Sequence, residues 1–501
     1  MPARRCGGRA PRGAAALAAA VFCCAVVAVP VDRAAAASGQ DAATAERLDR
    51  LEERVGDLER ALEEKDAQIR ELRRRAAGPE GPGKRPGAGG ETPLVFTPPG
   101  GDIQVGFGGQ YRVNSYAADN DLPGDHPTAS RVRIRQDLDF RFGERLRSHL
   151  ELELGHTNDN LTTTPSGSRA TTVGVRHAVV AFAPLGLHGP EVRAGILPLS
   201  DRFGDVLFSA DWDYNPVGVE VRVPLGPVQV RGFAADLHEG AEPVAHDDFD
   251  HYQLDLQVRP APGLRLTAGL SFLDAATPDG HHTRRHWNYG AGVEVEAGPA
   301  VAVRACVLGS RTDGRLLGVD DPGQGCAAKL EVTAEAGPHA AGLMATYASG
   351  ERDGSGFLPV MALSRTYGYW GYTGLLTVQG ATDTGIDESA VNISNNGYGL
   401  VTVQAYYTHR FESRFSLRLA AGWFGASHTP RGRSSELGID TLVMGTWRLH
   451  RYLTLDLGVA YAHLRDGISG YWSGVGPAGF VAPAGARRDK TAAFSRLQLA
   501  F

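Results

Sequence analysis

Cysteine and lysine are nearly missing from this chain of 501 residues. Three of its five cysteines, Cys6, Cys23 and Cys24, crowd into the first few turns of sequence, and only Cys306 and Cys326 lie beyond. Two thiols in so long a chain exclude a disulfide scaffold. Lysine occurs only as Lys65, Lys84, Lys329 and Lys490, so almost all positive charge is arginine. Past the N-terminal leader no segment approaches the ~20 apolar residues of a membrane-spanning helix. Signatures of common chemistry are missing too: there is no Walker loop, no HExxH and no GxSxG. An enzyme is therefore not expected, and no cofactor is called for.

The leader begins with Arg4, Arg5, Arg9 and Arg12, continues as the apolar run from Ala14 to Val29, and ends in "AAAAS". Basic start, apolar middle and small-residue site are the parts of a secretory signal peptide, here residues 1–37. Phe22 stands where a lipoprotein signal needs a small residue before Cys23. Cleavage removes five arginines and one aspartate and moves the formal charge from −6 to −10. A chain this acidic is a poor partner for nucleic acid, and none is expected.

Residues 46–75 carry Leu48, Val55, Leu62 and Ile69 seven apart, with Leu51, Leu58, Lys65 and Leu72 offset by three. These are the a and d positions of a coiled coil. "RLDRLE" and "RVGDLE" resemble a trimer-specifying motif in which Arg covers the seam and reaches a neighbouring Glu. The helix is thus expected to build a homotrimer. Residues 76–100 are rich in Gly and Pro and read as a flexible linker.

From residue 101 the pattern changes to alternation. "VRIRQDLDF" sets Val132, Ile134, Leu138 and Phe140 against Arg133, Arg135, Asp137 and Asp139. "GVEVRV" sets Val219, Val221 and Val223 against Glu220 and Arg222, and "HYQLDLQV" sets Leu254, Leu256 and Val258 against Gln253, Asp255 and Gln257. Period two means strands with one apolar and one polar face. The final stretch "FSRLQLAF" does the same, with Leu497, Leu499 and Phe501 on the apolar side.

Connections alternate as well. Short turns such as 142–145, 224–227, 259–263, 297–299, 336–338 and 450–452 are separated by long loops near 117–129, 157–170, 198–214, 237–248, 275–285, 310–324, 350–395, 427–435 and 465–487. Counting gives about eighteen strands, with sixteen as the alternative. Short turns on one side, long loops on the other, an apolar exterior and a polar interior point to an all-β transmembrane antiparallel barrel over residues 101–501. A soluble sandwich would not keep that parity through so many strands, and a solenoid would show a fixed repeat.

The chain resembles bacterial outer-membrane porin-type channels, and within them the eighteen-strand alginate-export-like barrels. The resemblance rests on the layout of "RAGILPLSDRFGDVLFSADWDYNPVGVEVR" (Arg193 to Arg222) and "ATYASGERDGSGF" (Ala345 to Phe357). The coiled coil ahead of the barrel is similar instead to trimeric porins of the phosphate-selective type. The resemblance implies residence in the outer membrane of a Gram-negative cell, lipid around the barrel, a periplasmic coiled coil, and recognition of the Phe501 strand by the outer-membrane insertion machinery.

Parity then names the lumen. Arg133, Arg135, Arg147, Arg193, Arg222, Arg231, Arg265 and Arg304 are expected to line the pore, facing acids on neighbouring strands. Arginine's forked guanidinium suits carboxylate or phosphate solutes; cross-strand pairing that merely keeps the lumen wet is the competing reading. The loop 197–215 combines Phe203, Phe208, Trp212 and Tyr214 with Asp201, Asp205, Asp211 and Asp213, and is expected to fold inward as a constriction. His281, His282 and His286 read as solvated loop histidines, so no metal site is expected. Cys306 falls on the inward parity and Cys326 on the outward, which argues against a disulfide between them. Function reads as passive diffusion of small hydrophilic solutes, anionic ones included; a structural tether or a polysaccharide-export-like pore between outer membrane and periplasm is the alternative.

Overall fold

The structure is a computed structural model. It describes Leu94–Phe96 and residues 103–501, apart from short gaps and stretches of the long loops, chiefly 120–127, 156–172, 239–248, 277–282, 352–355, 361–370, 378–390, 430–433 and 466–488. The expected signal peptide and coiled coil lie outside the described residues.

Among the described residues twenty-one strands follow in order: β1 Leu94–Phe96, β2 Ile103–Asp119, β3 Thr128–Phe142, β4 Leu146–Gly155, β5 Val173–Phe182, β6 Glu191–Ile196 and β7 Val217–Leu225 come first. Next are β8 Val228–His238, β9 Phe249–Ala261, β10 Leu264–Ala276, β11 Thr283–Ala297, β12 Val301–Asp313, β13 Arg315–Leu316 and β14 Val319–Asp320. The last are β15 Gly323–Ala336, β16 His339–Ala348, β17 Leu400–Arg410, β18 Phe415–Ala426, β19 Glu436–His450, β20 Leu453–Leu464 and β21 Asp489–Ala500. Strands β13 and β14 form a small separate hairpin. Strands β2 to β12 and β15 to β21 pair antiparallel, each with its neighbour in the chain, and β21 returns to pair with β2. The result is a closed barrel of eighteen strands, as the alternation required.

Closure runs from Gln110↔Ala500 to Asp119↔Thr491. Phe501 extends it: its N–H donates to the Gly109 carbonyl, its carbonyl accepts from Gly109, and its ring stacks on Tyr111 at 5.7 Å. Below that point β2 has no further partner on this side, and β1 supplies one, pairing Leu94–Phe96 with 105–107. The expected flexible linker therefore ends in a short strand. The reason is the unpaired backbone of β2, which a Gly/Pro-rich neighbour can still satisfy where it reads "LVF".

Polarity is inverted relative to a soluble protein. Leu254, Val307, Leu330, Trp423, Val443, Val459 and Leu497 are exposed on the outer face. Glu220, Asp255, Gln404, Asp440 and Asp456 are buried inside, none above 2 % exposed. Aromatic side chains ring the outside at two levels. Tyr252, Phe272 and Trp287 stack near the long-loop end, and Phe411, Phe415 and Trp447 stack near the short-turn end. An apolar belt between aromatic girdles is the exterior of a barrel solvated by lipid hydrocarbon.

Neither Cys306 nor Cys326 is in a disulfide, and the first is buried on the inner face. They sit on adjacent strands but out of register, Cys306 opposite Lys329 and Cys326 opposite Gly309.

Candidate functional site

The inside of the barrel is occupied by two chain segments rather than one. The first leaves the wall at β6, which is only six residues long. Gly195, at φ +121°, lets the strand bend there; a Cβ would sit 1.9 Å from the Ala178 carbonyl oxygen. The ladder continues inward, Leu197 N–H to Pro216 O at 2.9 Å and Leu199 N–H to Tyr214 O at 3.3 Å.

Residues 197–216 then pack against the inner wall of β8 to β12. Leu197, Leu199, Val206, Leu207, Phe208 and Tyr214 are buried against wall residues that include Phe233, Leu273 and Leu308. The Phe203 ring rests over Gly269 and Gly292, and a Cβ at Gly269 would lie 3.0 Å from it. Full burial of a Leu or Phe stabilises by about 1.5–3 kcal/mol each, so this insert is a fixed part of the lumen and not a loop adrift in solvent. Polar contacts agree: Arg231 donates to Ser200 O at 2.9 Å and Lys329 to Gly204 O at 3.0 Å, and Tyr214 hydrogen-bonds His251. Burial raises the Tyr214 pKa above its ordinary value, keeping that hydroxyl a neutral partner.

The expected inward fold of this loop is thus present, but its acids divide their labour. Asp201 is buried and does not face the passage. Its carboxylate accepts from the backbone N–H groups of Phe203, Asp205, Leu207 and Phe208 and holds the loop's shape. Asp205 adopts φ +60° and is half-buried; Asp211 is exposed on a single 3-10 turn, Ala210–Trp212. The Trp212 side chain and Asp213 lie outside the described residues. Arg202, which sequence reasoning passed over, has no hydrogen bond or ion pair among the described residues, and its Nε is buried without a partner. Burial, then the nearby Arg231 and Arg222, lower its pKa. An anion beside it would relieve both.

The second insert lies between β16 and β17, in the stretch taken from sequence as the long polar loop 350–395. Phe357, Leu358, Val360, Leu375, Leu376 and Val391 are buried within the barrel. Its anchors are polar: Leu358 O accepts from His286 and Asn288, Tyr372 N–H donates to Gln404 at 2.8 Å, and the N–H groups of Leu375 and Leu376 donate to Asp440 Oδ2. At Gly325 the insert comes so close that a Cβ would lie 2.3 Å from the Phe357 backbone. His286, expected as a solvated loop histidine, is instead buried on β11 and hydrogen-bonded to Thr312, Asn288 and this insert. His281 and His282 lie outside the described residues.

The two inserts meet one strand two residues apart. On β15, Lys329 reaches Gly204 of the first and Glu331 accepts from the Tyr372 hydroxyl of the second at 2.6 Å.

All eight named arginines are on the inner face, and each has a polar partner. Arg133 donates to Gln110 at 3.0 Å, Arg135 to Glu153 at 2.8 Å, and Arg147 pairs with Glu191. Arg193, Arg222 and Arg231 converge on one carboxylate, Glu220, at 2.6, 3.0 and 3.9 Å; Arg231 also pairs with Asp255. Arg265 and Arg304 share Glu294 at 2.7 and 3.1 Å. Pairing across strands is therefore the rule, yet it does not balance. Glu220 is shared by Arg193, Arg222 and Arg231, Glu294 is shared by Arg265 and Arg304, and Arg202 has no ion pair among the described residues; Asp255 serves Arg231, and Glu191 lies near Arg193. The paired arginines lie on the wall beside the first insert, where Arg231 donates to Ser200 O. Arg418, on the other wall, meets no carboxylate among the described residues and lies over the Tyr406 ring at 4.2 Å.

No family model matches the chain, and no curated protein does. Among solved structures the chain is similar in overall fold to Pseudomonas aeruginosa OccK11 (OpdR), at 13 % identity and a TM-score of 0.47, covering 79 % of this chain and 96 % of that one. It is also similar to OccK8 (OprE) of the same organism, at 12 % identity and a TM-score of 0.48, covering 79 % and 98 %. A third is the Pseudomonas aeruginosa outer membrane protein OpdK, at 13 % and 0.48, covering 79 % and 98 %.

Proposed function

We propose that this protein is an outer-membrane channel for passive diffusion of small hydrophilic solutes, with a preference for anions. One observation carries the reading: a barrel with hydrocarbon-facing walls encloses a polar lumen in which arginines share carboxylates beside the first insert and Arg202 pairs with none among the described residues. A surplus of fixed positive charge raises the local concentration of anions, and partial pairing keeps each contact weak enough to release them. Arg202 is the group best placed to meet a passing carboxylate or phosphate, since it is committed to no acid. The eight inward arginines would form the lining, and the insert 197–216 the constriction.

In this reading residues 46–75 join three barrels on the periplasmic side, and the Phe501 strand is what the insertion machinery reads. A tether or an export pore would use the same barrel, but a tether has no need of a basic lining.

Planar-bilayer recordings under a KCl gradient test this. The reversal potential of the full chain is expected on the chloride side. Glu220→Gln, which strips the shared counter-charge from three arginines, shifts it further that way; Arg202→Glu shifts it back. A cation-selective channel, or no shift with Arg202→Glu, would refute the anion reading. No conductance at all from a folded barrel would refute the channel.

A further inference from the structure

On the inner wall opposite in character to the basic one, His149, Glu151 and His177 each place a ligand atom within 4.8 Å of the others. The backbone brings them together by an irregularity. Strands β4 and β5 slip register between Glu151 and Leu152, so that Glu151 lies opposite His177 while Leu152 lies opposite Val175. Arg176 is the extra residue of this bulge. Two consecutive side chains, Arg176 and His177, are consequently both buried inside, which regular alternation forbids.

We propose that these three residues form a binding site for a divalent transition-metal ion of the zinc class. Two imidazoles and a carboxylate are a common three-ligand set for Zn2+, leaving one position open to the lumen. Each ligand already has the partner that such sites use to fix tautomer and orientation. His149 Nδ1 is held by Asp139 Oδ1 at 2.9 Å, which leaves Nε2 for the metal. Glu151 Oε1 accepts from Arg176 at 3.0 Å, which leaves Oε2. His177 Nε2 lies 3.0 Å from Asn215 Oδ1 and 3.2 Å from Arg176 Nη1, and its other nitrogen, Nδ1, is 2.9 Å from Glu151 Oε2 and faces the proposed ion. Zn2+ would enter between that pair, with small rotations bringing its bonds to about 2.0–2.2 Å.

Charge supports a dication. Asp137, Asp139, Glu151 and Glu153 are four carboxylates facing two guanidiniums, Arg135 and Arg176. The balance is −2, and Asp137 Oδ1, opposite Glu151 in register, is buried without a hydrogen bond. Because Asn215 belongs to the first insert, and Arg176 also donates to Ala210 O at 2.6 Å, the ion would stiffen the base of the constriction.

The test uses the untagged full chain folded in detergent, titrated calorimetrically with Zn2+ and followed with Co2+ for the visible absorption of a four- or five-coordinate ion. One saturable Zn2+ per barrel is expected. His149→Ala and His177→Ala should each weaken it by at least about 100-fold, and Asp139→Asn by about 10-fold, the range for lost metal-site partners. Heat-modifiable gel mobility checks that each variant still forms a barrel. Lack of saturable binding by the wild-type chain overturns the proposal; so does wild-type affinity in the His149→Ala/His177→Ala double variant.

Discussion

Replacing residues 200–213 with Asn-Gly raises the single-channel conductance by about two- to threefold, because the passage is set by what fills the barrel and not by the barrel's own width. The replacement is geometrically mild. Leu199 and Tyr214 already face each other across an antiparallel ladder, so two residues of a tight hairpin turn join them. What leaves the lumen is the segment carrying Phe203, Val206, Leu207 and Phe208. What remains on the wall, Arg231, Lys329 and Cys306, loses a backbone carbonyl partner and gains water. The opposing prediction is equally definite. If the second insert alone sets the width, conductance stays at the wild-type level, and the first insert is only packing.

Val443→Arg destabilises the barrel in lipid by about 2–4 kcal/mol, the cost of an arginine near the midplane on the hydrocarbon side. Val443 is exposed and lies between Leu419 and Val459, both also exposed. The same change on the wet side, Ser416→Arg, costs less than about 1 kcal/mol, since the side chain enters water beside other polar groups. Reversible unfolding from vesicles by chemical denaturant measures both. Equal costs at the two positions would mean that the inner and outer faces have been assigned wrongly, and the channel reading would go with them.

The barrel was legible because one signal, alternation with period two, recurs in strand after strand and needs no tertiary knowledge. "GVEVRV" declares its faces alone: Val219 and Val221 are exposed and Glu220 is buried. The site was legible only in part. Facing direction follows from parity, so the arginines were found; their partners depend on cross-strand register, so the convergence of Arg193, Arg222 and Arg231 on Glu220 was not. The Arg176–His177 bulge breaks parity and hid the histidine–glutamate group. The second insert did carry a signal. "FLPV" and "GLLTV" are as apolar as the aromatic run that identified the first insert, but they sit in so long a connection that its polar remainder masked them. His286 looked solvated because it neighbours His281 and His282 in sequence, whereas its strand turns it toward Leu358.

The pairing of β2 with β21 makes the hydrogen-bonded wall a ring without ends, spanning contacts as remote as Arg112 to Gln498. A ring cannot absorb a local mistake. A one-residue slip between any two strands would swap that strand's oily and wet sides, and the offset would have to be carried around to the seam. Errors of assembly in this protein should therefore show up as molecules that fail to close, never as closed ones with a single misaligned strand.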